Sequence, residues 1–142
     1  MRLFLFSIVI SCFVLACNNT GDAEPAVSLA DSLLKQVIEG HDVAMPKMMK
    51  MERLQKEAQA EMDSLKKLPG QTERIALLDS TIKSLSYADV AMHEWMEGFR
   101  YDSLKDNEPA RIDYLKMQLA TVNEMKDNVI SSLEKADSVL AK

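Results

Sequence analysis

The sequence predicts an all-α fold: an antiparallel, up-down-up three-helix bundle with coiled-coil-like packing. Three observations carry this expectation. Apolar residues recur in steps of three and four through most of residues 28–142, the period of a helix that buries one stripe. Two breaks with turn chemistry, at Leu68-Pro69-Gly70 and over 103–108, divide that pattern into three parts. The connections are short, which makes successive helices antiparallel neighbours, and the sustained three-four spacing favours left-handed supercoiling.

The chain opens with Arg2, an apolar run from Leu3 to Leu15, and Ala16 before Cys17. A short positive head, an apolar stretch too short to span a bilayer and a small residue before the cut describe a secretory signal over 1–16. The order Val14-Leu15-Ala16-Cys17 resembles the lipobox of bacterial lipoproteins, in which the cysteine is lipidated and becomes the mature N-terminus. Residues 17–27 then read as a tether, small and polar over 18–24, whose flexible reach is on the order of 17 Å.

The first helix is expected from Ser28, which forms a capping box with Asp31. Leu34, Ile38, His41, Met45, Met48, Met51, Ala58, Met62 and Leu65 mark its face. Gly40 and Pro46 sit inside it, and Pro46 removes a hydrogen bond, so a kink or split is expected near Gly40-Pro46. The second helix follows Ile75, Leu78, Ile82, Leu85, Asp89, Met92, Met96 and Phe99. The third starts at Asn107 and Pro109 and follows Ile112, Leu115, Leu119, Val122, Met125, Val129, Leu133, Ala136 and Leu140. Glu52 with Lys56, Asp63 with Lys67 and Asp79 with Lys83 place opposite charges four apart on the outer faces.

Composition excludes several roles. The net charge of −5 becomes −6 once Arg2 leaves with the signal, which argues against nucleic acid and against an electrostatic grip on anionic lipid. Membrane attachment must then come from acyl chains on Cys17, two or more of which bind durably. Cys12 leaves with the signal and Cys17 is consumed by lipid, so no thiol remains for a disulfide or a zinc site. No Gly-x-Ser-x-Gly elbow, Glu-x-x-His pair, phosphate-cradling loop or Cys-x-x-Cys-His haem motif is present, and no catalytic residue is assigned.

One layer is unusual in composition. A hairpin turning near residue 69 sets position n of the first helix level with about 138 − n on the second. His41 then faces about 97 and Met45 about 93, and a turn near 105 brings Tyr114 and Met117 to the same height. Methionine at helical spacing is ordinarily core filler, in which case His41 is a core histidine bonded to Asp89. The competing reading is a soft-metal site. His41, Met45 and Met48 would project from one helix, Met92, His93 and Met96 from the other, and thioether with imidazole suits Cu(I) or Ag(I).

Five Asp-Ser pairs precede an apolar residue or threonine, at Ser32, Ser64, Ser80, Ser103 and Ser138. They resemble an O-glycosylation sequon of exported proteins in one gram-negative lineage. The same pair also suits the polar side of a helix.

The lipobox, the segment His41-Asp42-x-x-Met45-Pro46-Lys47-Met48 and the segment Ala88-Asp89-x-Ala91-Met92-x-x-Trp95-Met96-x-x-Phe99 together carry a wider resemblance. They are similar to small helical gram-negative lipoproteins labelled "viral A-type inclusion protein". His93 departs from that pattern, so the resemblance gives it no role. It implies a secreted, lipid-anchored helical domain of undetermined activity. The expectation is a non-enzymatic envelope lipoprotein, held by lipid on Cys17 and facing the periplasm from the outer membrane. Its bundle would bind an envelope protein partner, with Trp95, Phe99 and Tyr101 near the docking end. Soft-metal handling is the alternative.

Overall fold

Proline 46 decides the shape of the first rod. In the computed structural model, which describes residues 28–141, helix α1 (Leu29–Ala44) gives way to one 3-10 turn at Met45–Lys47 and resumes as α2 (Met48–Leu65). Pro46 occupies the first turn of the short segment, where a missing N–H removes no helical bond. The expected kink is therefore a split. Helices α3 (Thr72–Gly98) and α4 (Glu108–Leu140) complete a three-helix bundle, counting α1 and α2 as one broken rod. The expected signal at 1–16 with Cys12, the expected tether at 17–27 with Cys17, and Lys142 lie outside the described residues.

The helix ends follow their sequence signals. Ser28 caps α1 by accepting from the Asp31 N–H at 3.0 Å, and Asn107 caps α4 by accepting from the Ala110 N–H at 3.2 Å. After α2 the chain reverses through Pro69 and Gly70, whose φ of +75° is open to glycine without strain. The second connector, residues 99–107, is longer than the expected 103–108 because α3 stops at Gly98.

The break lets one rod serve two partners. Helix α1 packs along α4, whereas α2 packs chiefly along α3, and α3 and α4 pack together. The seam stays in phase across the turn, since buried Ala44 and Met48 are four apart. Upstream of the turn, however, the buried stripe is not the expected one. His41 and Met45 were expected on the core face, but Val37, Gly40 and Ala44 occupy it, one residue back. Small side chains explain the rotation. A Cβ on Gly40 would stand 3.0 Å from Val122 Cγ1, so the glycine brings α1 and α4 into closer contact than any larger residue allows.

Along α3 the buried residues Leu78, Thr81, Leu85, Ala88, Met92 and Trp95 keep strict alternation of three and four. Asp89, expected on this seam, is displaced to its flank by Ala88. On α4 the series Leu115, Val122, Met125, Val129, Leu133, Ala136 and Leu140 is buried as expected. Two core hydroxyls are satisfied by their own helices. Thr81 donates to the Leu77 carbonyl at 2.9 Å and Ser132 to that of Asn128 at 2.7 Å.

Ion pairs tie the rods from outside. Lys50 meets Asp137 at 2.6 Å between α2 and α4, and Arg74 meets Glu61 at 2.6 Å between α3 and α2. The expected pairs Glu52–Lys56 and Asp79–Lys83 are present, while Asp63 pairs with Lys66 rather than Lys67. Hydrogen bonding and then charge from Lys56 hold the Glu52 carboxyl below its ordinary range. Hydrogen bonds from Gln59 and then Lys66 do the same for Asp63. Both carboxylates are exposed, so solvent screens these pairs.

Closeness at Gly40 is testable. Gly40→Leu should lower the unfolding free energy by about 1–3 kcal/mol in urea melts through overpacking, and Val122→Ala in the same chain should recover part of the loss. A single variant as stable as the parent would mean that the α1–α4 seam opens freely.

Candidate functional site

The layer of histidine, methionine and aromatic rings lies where α1, α3 and α4 meet. The His41 ring stands 5.6 Å from that of Trp95, so His41 faces 95 rather than the expected 97. Trp95 stacks on Phe99 at 4.8 Å with planes 14° apart, and Phe99 lies 6.3 Å from Tyr114 at 8°. These separations are those of attractive aromatic pairs. Spacing supplies the ladder: Trp95 and Phe99 are four apart on α3, and Tyr114 faces them from α4.

Polar groups lock its edges. Trp95 Nε1 donates to Gln118 Oε1 at 2.9 Å, and the Tyr114 hydroxyl accepts from the Arg100 N–H at 2.8 Å. The buried Arg111 guanidinium donates to the Ser103 carbonyl at 3.1 Å and fastens the 99–107 connector to α4. Neither Gln118 nor Arg111 was singled out from the sequence. Arg111 was within reach of it, since the third-helix stripe extended back four residues from Leu115 lands there.

The expected His41–Asp89 bond is not formed. His41 Nδ1 lies 3.0 Å from Asp42 Oδ1, and His93 Nδ1 lies 2.9 Å from the Asp89 carbonyl oxygen. The reason is rotational: Asp89 sits on the α3 flank beside its own i+4 neighbour, and the seam between α1 and α3 is filled by Trp95.

The six proposed metal donors differ in how far they are open to solvent. Met48 and Met92 are sealed in the main core, with Met96 packed against it. His41 is half-buried against Trp95. Met45 is 43% exposed and the His93 side chain 60% exposed, so both face solvent. The one-residue rotation of α1 that buries Gly40 and Ala44 is what turns Met45 outward. Met117, expected at the same height, is also exposed. Among the described residues no group of three or more His, Cys, Asp or Glu side chains is placed to hold a metal ion.

Nor are the three aromatic residues proposed for docking equally available. Trp95 is buried and Phe99 half-buried within the ladder, whereas Tyr101 is exposed. The Asp-Ser serines are scattered over the surface. Ser32, Ser64, Ser80 and Ser138 lie on helices, and Ser103 lies in the connector. The Ser64 hydroxyl donates to the Ala60 carbonyl at 2.9 Å, and that of Ser80 accepts from Lys135 Nζ at 2.5 Å. Comparison of the chain with known protein families, curated proteins and solved structures finds no match.

Two measurements follow from this geometry. Trp95→Ala should cost about 3–5 kcal/mol in denaturant melts, because it empties the centre of the ladder and leaves Gln118 without its donor. Titration with Cu(I) against a chromogenic chelator should give no stoichiometric uptake. Uptake of one ion that is lost in His41→Ala plus Met45→Leu would mean that the core opens to admit it.

Proposed function

We propose that this chain is a non-enzymatic, lipid-anchored lipoprotein of the bacterial cell envelope whose helical bundle acts by binding. The observation that carries the reading is Val14-Leu15-Ala16-Cys17 after a short basic-apolar leader, followed by a capped helix at Ser28. That arrangement leaves eleven residues from Cys17 to the first cap, enough to link acyl chains to a domain and too few to carry it far from the bilayer. No helix among the described residues is long and apolar enough to cross a membrane, so the proposed hold on the bilayer is the lipid.

Binding is favoured over catalysis by how the titratable groups are used. Each histidine is engaged within its own helix, His41 by Asp42 and His93 by Asp89, with no hydroxyl or thiol in hydrogen-bond contact with either ring among the described residues. A nucleophile with an oriented base is the usual requirement for acyl or phosphoryl transfer chemistry. Exposed apolar side chains are available instead on several outer faces, including Met49, Tyr87, Val90 and Met117.

The anchor is tested by fractionation. Produced in a bacterium with lipoprotein processing, the chain should sediment with membranes and carry acyl mass on Cys17. Cys17→Ala should move it to the soluble fraction without altering its helical circular dichroism. A membrane-bound Cys17→Ala protein, or a mature mass equal to polypeptide alone, would overturn the proposal.

A further inference from the structure

We propose that the end of the bundle formed by Leu29, Tyr101 and Leu104 docks on the surface of the bilayer that holds the anchor, so that the rods stand on the membrane. This rests on the lipid-anchor reading above. The three side chains are 56%, 57% and 45% exposed, and they occupy one end of the molecule. A shallow groove lined by Ser28, Asp31, Lys105 and Arg111, among others, joins the start of α1 to the connector that carries Tyr101 and Leu104. Lys105 Nζ lies 5.5 Å from the centre of the Tyr101 ring, which ties Tyr101 to the same patch.

The position of the tether points to the occupant. The chain enters the bundle at Ser28, beside Leu29, eleven residues after Cys17. Even fully extended, that segment reaches only about 40 Å. The anchor therefore keeps this end, the nearest to Cys17 along the chain, close to lipid. Confinement of that kind gives an effective concentration of order millimolar, at which a weak apolar contact is occupied.

Backbone strain supplies an independent argument. Leu104 has a φ of +59°, the left-handed region in which glycine or asparagine sits at less cost. A leucine held there with nearly half of its surface in water gains little from the core. Its apolar side chain has a use if the water is replaced by lipid. Tyr101 suits the same boundary, with an apolar ring and a polar tip.

Charge sets the lipid class. Asp31, Asp102, Asp106 and Glu108 outnumber Arg100 and Lys105 among the exposed groups at this end, and Lys105 is paired with Asp102. Contact is thus apolar and suits zwitterionic headgroups; anionic lipid would be repelled.

The full chain, purified from bacterial membranes and reconstituted in phosphatidylcholine vesicles, provides the test. Once Cys17 carries lipid, an introduced cysteine is the sole thiol for an environment-sensitive dye. Leu104→Cys and Tyr101→Cys should give blue-shifted emission that nitroxide-labelled lipid quenches. Met49→Cys, at an exposed site about 30 Å along the rod, should give water-like, unquenched emission. Either of the first two positions suffices if the other disturbs the turn. Equal emission at all three, or a blue shift only after anionic lipid is added, would overturn the docking while leaving the anchor intact. A purified chain without acyl mass would overturn the anchor and the docking together, and the mass spectrum separates these failures.

Discussion

The constraint on which the rest of the structure depends is the single 3-10 turn at Met45–Lys47. A straight rod of 37 residues from Leu29 to Leu65 would have to present one stripe to one groove. Broken at Pro46, it presents its first half to α4 and its second half to α3 while the burial phase is kept from Ala44 to Met48. The turn also fixes which residues face outward. Val37, Gly40 and Ala44 make a narrow, small-residue seam against Val122, so His41 is pushed to the edge against Trp95 and Met45 is left in water. The contact of His41 with the aromatic ladder and the outward turn of Met45 are both products of that one rotation.

Beyond the turn, the bundle relies on packing. The region after Cys17 contains no cysteine, so no covalent crosslink constrains the unfolded chain. Side chains at alternating steps of three and four fill the space between α3, α4 and the first rod, and the buried hydroxyls of Thr81 and Ser132 bond back to their own helices. Such hydroxyls make no demand on a facing helix. Register is set instead by shape, at Gly40 against Val122, and by directional contacts such as Trp95 with Gln118 and Arg74 with Glu61.

Much of the fold was legible in the sequence because its signals are local. Ser28 with Asp31, Asn107 with Pro109, and Pro69 with Gly70 each act through the nearest backbone groups, and the structure uses all three. The hairpin register was legible to within two residues, since His41 meets Trp95. The rotation of α1 was not. An apolar stripe through Leu34, Ile38, His41 and Met45 and one through Val37, Gly40 and Ala44 fit the same period, and the choice depends on how closely α4 approaches. That is a property of Val122, more than eighty residues from Gly40, and no local rule carries it. The same holds for the histidine–methionine layer: height along the rods was readable, while the direction of each side chain around them was not. Leu104 marks a second limit, because a connector's path is set by the tertiary contacts it makes, here the Arg111 bond to the Ser103 carbonyl.

The uneven distribution of sulfur has a chemical consequence. Thioethers oxidise to sulfoxides, which convert flexible apolar side chains into polar ones. Met51, Met92 and Met125 are closed off within the bundle, whereas Met49 at 83% exposure and Met117 at 57% stand at the surface with no core role. A peroxide or hypohalous acid reaching the domain therefore meets the dispensable sulfurs before the structural ones. Damage at the surface costs little packing, and the interior stays reduced for as long as the helices remain closed.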